Sequence, residues 1–262
     1  IYHVAADYRL WVKDSQNLYD SNVQGTINLM QSALDAGVEK IVYTSSVATL
    51  GTETDGQSAN ETTPVEYTDM IGDYKKSKFL AERAVDNLVA TEGLPAVIVN
   101  PSTPVGPRDI KPTPTGRVLR DAALGKIPAY VNTGLNVVHV DDVATGHILA
   151  FEKGQIGRRY ILGGNNLSLL NILTLVAEWA GRRPPRIRLP RRFIFPLAWV
   201  FEGWAALTDG PEPQITTDGL RMAAKRMYFE SERAVRELEY KWRNPEEGIV
   251  DALEYFKAKN LI

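Results

Sequence analysis

The sequence predicts an α/β fold: a parallel sheet covered by helices on both faces, joined to a smaller and mostly helical lobe. Three observations predict it. Short runs rich in β-branched and aromatic residues, at 1–6, 40–46 and 95–101, alternate with segments of helical periodicity, the pattern of right-handed βαβ units. Each run is apolar rather than alternating, as strands buried on both faces are. Each ends on small or polar residues, namely Ala5-Ala6, Thr44-Ser45-Ser46 and Asn100-Pro101-Ser102. Ligands of such sheets bind outside the carboxyl ends of the strands.

The elements follow in order. Residues 1–6 read as the end of a buried strand with no helix, turn or tail before it, so the chain is expected to lack an upstream part of its sheet. Residues 17–36 are helical, with Val23, Ile27, Met30, Ala33 and Leu34 on one face and Gly37 as the stop. After the strand at 40–46, a polar stretch at 51–64 is loop. Asp73 is placed to cap a helix over 74–91, in which Ala81, Val85 and Leu88 carry the face of Lys78 into the core. Beyond the strand at 95–101 come a proline-rich loop (104–114), a helix (115–125) and a strand (136–140). Asp141 and Asp142 are read as capping the helix at 141–153, and a strand at 159–162 ends at Gly163-Gly164. From there helices dominate, at 168–180, 192–207, 217–226, 230–238 and 245–259.

Composition narrows the function. A net charge of −2 gives no bulk case for nucleic-acid binding. The absence of cysteine excludes disulfides, thiol catalysis and thiolate metal sites. The three histidines, His3, His139 and His147, are scattered without paired carboxylates, so no metal is expected; His3 and His139 read as structural. The first residues lack the basic start and apolar run of a signal peptide, and a cytoplasmic protein is expected.

The chemistry centres on Tyr74 and Lys78. Four residues apart on a helix, they share a face, and a cation beside a phenol favours phenolate, drawing the tyrosine toward acid/base work. Ser46, from a separate strand end, is positioned to hold a substrate oxygen against that phenol. The spacing alone also fits a surface pair; the convergence of strand-end hydroxyls on the same edge favours a site.

The ordered set His3-x-Ala5-Ala6, Asn22-Val23-x-Gly25-Thr26-x-Asn28-Leu29, Thr44-Ser45-Ser46, Tyr74-x-x-x-Lys78, Asn100-Pro101, Gly106-Pro107 and His139-Val140-Asp141-Asp142 resembles the extended short-chain dehydrogenase/reductase family (NAD-dependent epimerases and dehydratases) over nearly the whole chain. Residues 44–51, 100–117 and 136–153 resemble its hopanoid-associated sugar epimerase branch. The resemblance implies a doubly wound Rossmann-type sheet binding NAD or NADP, with 1–104 and 136–164 forming what remains of the dinucleotide-binding domain. It implies that 105–135 and 165–262 form the substrate lobe. It assigns Tyr74, Lys78 and Ser46 to catalysis, with Ser45 as support. It places Ala5, Ala6, Thr44, Ser45, Tyr74, Lys78, Pro101 and Ser102 against the cofactor, makes Asn22 a helix anchor near the lysine, and gives Asn100 and Arg117 to the substrate. It implies a homodimer in which the helices at 17–36 and 74–91 pair into a four-helix bundle.

Two departures qualify this. No Gly-x-x-Gly-x-x-Gly occurs, so the glycine-rich phosphate loop and the first strands are expected to be missing and NAD or NADP to bind weakly. Leu135 and Asn136 stand where nucleotide-sugar epimerases carry a diphosphate-clamping arginine, a function left to Arg117, Arg221 or Arg226. Residues 193–207, preceded by Arg182, Arg183, Arg186, Arg188, Arg191 and Arg192, are too short to span a bilayer. They read either as a substrate-lobe helix packing its aromatics or as an interfacial helix on anionic head groups. The expected function is an NAD(P)-dependent epimerase of a sugar or sugar-linked lipid. A dihydroflavonol-reductase-like carbonyl reductase and a non-catalytic remnant with a binding role are the alternatives.

Overall fold

The computed structural model describes residues 1–12, 14–53, 56–190, 192, 194–208 and 216–262, with the backbone alone at 197 and 206. Four strands, β1 (Tyr2–His3), β2 (Ile41–Thr44), β3 (Ala96–Pro101) and β7 (Arg159–Leu162), form an all-parallel sheet in the order β1-β2-β3-β7. Period-two alternation sends successive side chains to opposite faces. Ile41, Tyr43, Ala96 and Ile98 pack on one side against Met30, Ala33, Ala81, Val85 and Leu88. Val42, Val97, Val99, Tyr160 and Leu162 pack on the other against Val143, Ala150, Ala234 and Leu238. The helices supplying those layers are α2 (Gly25–Asp35) and α3 (Gly72–Glu92) on the first face, and α5 (Val140–Lys153) and α9 (Glu232–Leu238) on the second. The sheet is therefore parallel and covered on both faces, as expected. β1 is its edge, with Tyr2 and Val4 exposed.

The expected helix at 17–36 is interrupted. A short α1 (Gln16–Tyr19) runs through a π-helical segment, Asp20–Gln24, into α2, and Gly37 ends it at φ 67°. The π segment turns Asn22 inward, where it is 2% exposed. α3 starts at Gly72 and is closed by Gly93 in the left-handed conformation. Asp73 does not cap it. Asp73 lies in the first turn and accepts a hydrogen bond from the Tyr19 hydroxyl at 3.1 Å. The cap of α5 likewise falls one step earlier than expected: His139 Nδ1 accepts from the Asp141 amide at 3.0 Å. Asp142 instead pairs with Arg243, its Oδ1 2.9 Å from the guanidinium.

The strand expected at 136–140 is present as β6 (Gly134–His139) and is joined by shorter strands that leave no sequence signal. β4 (Thr103–Val105), β6 and β8 (Asn165–Ser168) form a second sheet, and β5 (Ala129–Tyr130) pairs with β9 (Ile187–Arg188). Against β4 and β6 pack α4 (Pro114–Ala123), α6 (Leu169–Trp179) and α10 (Pro245–Ala258), through Leu119, Val137, Ile172, Val176, Leu253 and Phe256. α7 (Phe195–Thr208) and α8 (Thr217–Met222) complete the chain's helices among the described residues. Positions 54 and 55 of the expected loop lie outside those residues.

Candidate active site

Ser46 leaves β2 with an extended backbone and caps the 3₁₀ turn Val47–Thr49, its Oγ accepting from the Ala48 amide at 3.1 Å. The Ser46 side chain also acts on the Tyr74 phenol, lowering its pKa. Burial pushes the Tyr74 pKa above its ordinary value, and Ser46 pulls against that rise without cancelling it. The tyrosine is thus held as a neutral acid.

Lys78 is on the same helix and 2% exposed. Its Nζ donates to the Thr44 carbonyl at 2.9 Å, lies 3.4 Å from the Tyr43 hydroxyl and sits 5.0 Å from the Tyr43 ring centre. Burial draws its pKa down to about 8, while the Glu82 carboxylate acts in the opposite direction. The expectation is that Lys78 lowers the tyrosine pKa; the group that acts downward on it is Ser46, while the Lys78 ammonium is bonded to the Thr44 carbonyl at the end of β2.

Thr44 contributes its carbonyl. Its hydroxyl points the other way and bonds His147 Nε2 at 2.9 Å. His147 Nδ1 faces the Val143 carbonyl at 2.8 Å and must carry the proton, so the Thr44 hydroxyl donates to Nε2. The Thr44 hydroxyl is therefore committed to His147.

Asn100 is fully buried beneath Ser46. Its Nδ2 donates to the Ser46 carbonyl at 3.0 Å and to Glu82 Oε2 at 2.8 Å. Thr49 Oγ1 lies 2.8 Å from the Ser46 carbonyl and 2.9 Å from the same Glu82 oxygen, and Arg159 closes the network 3.1 Å from Glu82 Oε1. The Asn100 Nδ2 is thus committed to fixing the Ser46 backbone, while its Oδ1 is left without a partner among the described residues. Glu82 and Thr49 were not singled out from sequence. Glu82 follows Lys78 by one helical turn, a spacing that places it on the catalytic face.

Asn22 bonds two segments at once. Its side chain accepts from the Asp7 amide at 2.7 Å and donates to the Asp7 carbonyl at 2.9 Å and to Ser77 Oγ at 3.0 Å. It therefore ties the segment after β1 to the turn of α3 that carries Lys78. Ala5 and Ala6 lie exposed in that segment. Arg117 stands on α4, Arg221 pairs with Asp218 at 3.1 Å, and Arg226 lies over the Tyr228 ring at 5.9 Å. Asn136 is 1% exposed and bonds the Gly164 carbonyl, Asn166 Oδ1 and the Phe229 carbonyl.

The buried atoms without partners mark what the site can hold. Ser45 Oγ, Ser102 Oγ and Asn100 Oδ1 are all buried and unbonded, at or just beyond the carboxyl ends of β2 and β3. Buried polar groups are normally satisfied, so two hydroxyls and an amide oxygen beside a lysine suit a ligand rich in hydroxyls and amide groups. A nicotinamide riboside has that chemistry. The segment from β1 to α1 contains no glycine, so the fit does not extend to a pyrophosphate cradle there.

Residues 193–207 depart from the packed-helix expectation. On α7, Trp199, Val200, Trp204 and Leu207 are exposed, up to 86% at Leu207, and Ala198 and Ala205 are buried. Arg182, Arg183 and Arg186 line a concavity with Ala122 of α4 and Leu173 and Ala177 of α6, while Arg191 and Phe193 lie outside the described residues. No helix among the described residues is long and apolar enough to cross a membrane.

Residues 1–163 match the family described as the NAD dependent epimerase/dehydratase family. The chain is 44% identical over 261 residues to a Synechocystis protein named putative dihydroflavonol 4-reductase, covering 98% of this chain and 76% of that one. It is 33% identical over 270 residues to sterol demethylase protein B of Methylococcus capsulatus, covering 100% and 80%. The crystal structure of gox2253 superposes with a TM-score of 0.87 at 52% identity, covering 100% of this chain and 79% of that one. With its parallel sheet, its Ser46–Tyr74 pair and its buried Lys78, the chain belongs to the NAD-dependent epimerase/dehydratase family of enzymes.

Proposed function

We propose that the protein interconverts a secondary alcohol and a ketone with NAD or NADP, net carbonyl reduction being its reaction. The observation that carries this is the grouping of Ser46, which lowers the pKa of the Tyr74 phenol, with Tyr74 and the buried Lys78. Bound NAD(P) supplies the hydride acceptor or donor. Lys78, Ser45 and Ser102 hold its nicotinamide riboside end, next to Pro101 and the exposed Ala5 and Ala6. Tyr74, kept protonated by burial, gives its proton to the carbonyl oxygen in reduction and takes the hydroxyl proton in oxidation. Ser46 bonds the same oxygen. Asn100, through the Ser46 carbonyl, keeps that serine in place.

Reduction is favoured over sugar epimerisation by Asn136, which is locked in an internal network where a diphosphate clamp would stand. The name of the 44%-identical relative agrees. A second reading, epimerisation of a sugar or sugar-linked lipid of the hopanoid type, is supported by the family match and by the exposed apolar face of α7. The exposed tryptophans of α7, with Arg182, Arg183 and Arg186 preceding them in the chain, suit the surface of an anionic membrane. Co-flotation with anionic vesicles tests that contact, and its absence removes it. Leu29 on α2 and Leu80 on α3, both about a third exposed, support a homodimer through these helices.

The test uses wild type and Tyr74→Phe with NADH or NADPH and a panel of dihydroflavonols, hydroxysteroid ketones and nucleotide sugars. A reductase consumes one nicotinamide per product, whereas an epimerase regenerates it. Turnover lost in Tyr74→Phe supports the assignment; turnover retained overturns it. A chain that binds neither cofactor returns the remaining reading, a binding protein without catalysis.

A further inference from the structure

A cavity of about 170 Å³ opens beside the catalytic pair, lined by residues that follow Ser46 (Ala48, Leu50, Gly51) and by Lys75, which follows Tyr74. Met222 at the end of α8 and Lys225 beyond it close the cavity from the smaller lobe. Lys75 Nζ has a thioether as its partner, Met227 Sδ at 3.5 Å, and no side-chain hydrogen bond or ion pair of Lys225 is found among the described residues. No carboxylate pairs with either ammonium among the described residues. Asp69 also lines the cavity, but its Oδ2 accepts from the Glu66 amide at 2.9 Å in the capping box of its own turn.

Lys75 is partly buried and Lys225 exposed at the rim of the cavity; the two ammonium groups repel each other, and burial adds to Lys75 a cost that a carboxylate normally offsets. Burial and the charge of Lys225 draw Lys75 down to about 8. Such an arrangement is stabilised by an anion between the two lysines. The space sets the size of that anion. At roughly 30 Å³ per water the cavity holds a few heavy-atom groups, well below the several hundred Å³ of pockets that take whole cofactors or drug-sized ligands. A carboxylate fits; a nucleoside diphosphate does not.

We propose that Lys75 and Lys225 form an oxyanion subsite that receives a carboxylate or phosphate of the substrate, carried close to the carbon on which Tyr74 acts. This rests on the oxidoreductase reading for the identity of the reacting carbon. The subsite itself stands on the cavity and its two unpaired cations. It makes the substrate an anionic hydroxy or keto compound in which the charge is fixed beside the reacting centre, and it gives the smaller lobe a direct part in specificity through Lys225.

The test separates the subsite from the reaction. Protein labelled at lysine ε-carbons is titrated with sodium acetate, inorganic phosphate and, as the neutral control, acetamide. The Lys75 and Lys225 signals are assigned with Lys75→Met and Lys225→Met. Saturable shifts of these two signals with acetate or phosphate, absent with acetamide and weakened at least tenfold in either variant, are expected. Acetate stronger than phosphate identifies a carboxylate subsite, and the reverse a phosphate subsite. Equal, non-saturating drift of all lysine signals is an ionic-strength effect and overturns the proposal, as does unchanged binding in both variants. Turnover then compares 2-hydroxycyclohexanecarboxylate with its carboxamide: preference for the acid that disappears in Lys75→Met is expected, and equal use of the two substrates by wild type overturns the proposal. Saturable anion binding with no turnover of either compound refutes the oxidoreductase reading and leaves the subsite intact.

Discussion

Replacing Lys78 with Met should stabilise the protein at neutral pH and destabilise it in alkali. Lys78 is 2% exposed and its pKa is drawn from 10.5 to about 8, so its charge is carried at a cost. At about 1.4 kcal/mol per pKa unit that cost is roughly 3 kcal/mol. Methionine removes it but also loses the bond to the Thr44 carbonyl, worth about 1 kcal/mol. Lys78→Met is therefore expected to be more stable than wild type by about 2 kcal/mol at pH 7. As pH rises from about 8 toward 10.5, the folded lysine has shed a proton that the unfolded one still binds, so wild type gains stability across that window. The advantage of the variant shrinks and then reverses by about 1 kcal/mol, the value of the lost hydrogen bond. Urea unfolding followed by far-UV circular dichroism at pH 7, 8, 9 and 10 measures the difference directly. The comparison cancels Lys75, which titrates in the same range in both proteins. A variant less stable than wild type at pH 7, or a difference constant across the series, refutes the reasoning.

The other predictions concern the site and its supports. Tyr74→Phe should lower kcat by roughly 10²–10⁴-fold and Ser46→Ala by about 10²-fold, with cofactor affinity unchanged in both; steady-state kinetics with fluorescence titration checks this. Arg159→Met leaves Glu82 buried without its cation and should cost about 3–5 kcal/mol in urea unfolding, and a cost under 1 kcal/mol would show that the network is not coupled. Ser45→Ala and Ser102→Ala should each weaken nicotinamide mononucleotide about 5–10-fold, while 5′-AMP fails to compete in wild type; strong competition by AMP would reveal a phosphate-end grip that these residues do not supply. Leu80→Glu should convert a dimer to a monomer in light scattering, and an unchanged mass would move the interface elsewhere.

Much of this was legible before any coordinates. The apolar runs at 41–44, 96–101 and 159–162 could only be buried strands, and the helices between them forced a parallel sheet whose carboxyl edge gathers Ser45, Ser46, Asn100 and Ser102. The four-residue spacing of Tyr74 and Lys78 fixed their common face. Local pattern failed where partners lie far apart in sequence. Asp73 has the composition of a cap, yet the Tyr19 hydroxyl, 54 residues away, claims it. Two- to four-residue strands such as β4, β5 and β9 carry no periodicity to detect.

The sequence by itself determined which residues are chemical: a phenol, an ammonium and a hydroxyl at the ends of successive parallel strands and a helix. Only the tertiary structure decided what each one does. It set Lys78 on the Thr44 carbonyl, made Ser46 the group that lowers the Tyr74 pKa, bonded Asn100 to the Ser46 carbonyl, and brought Lys75 and Lys225 to one cavity. The reason is physical. Chain spacing dictates which face of an element a residue occupies, but burial and the reach of a side chain to a distant partner set its protonation state and its hydrogen bonds.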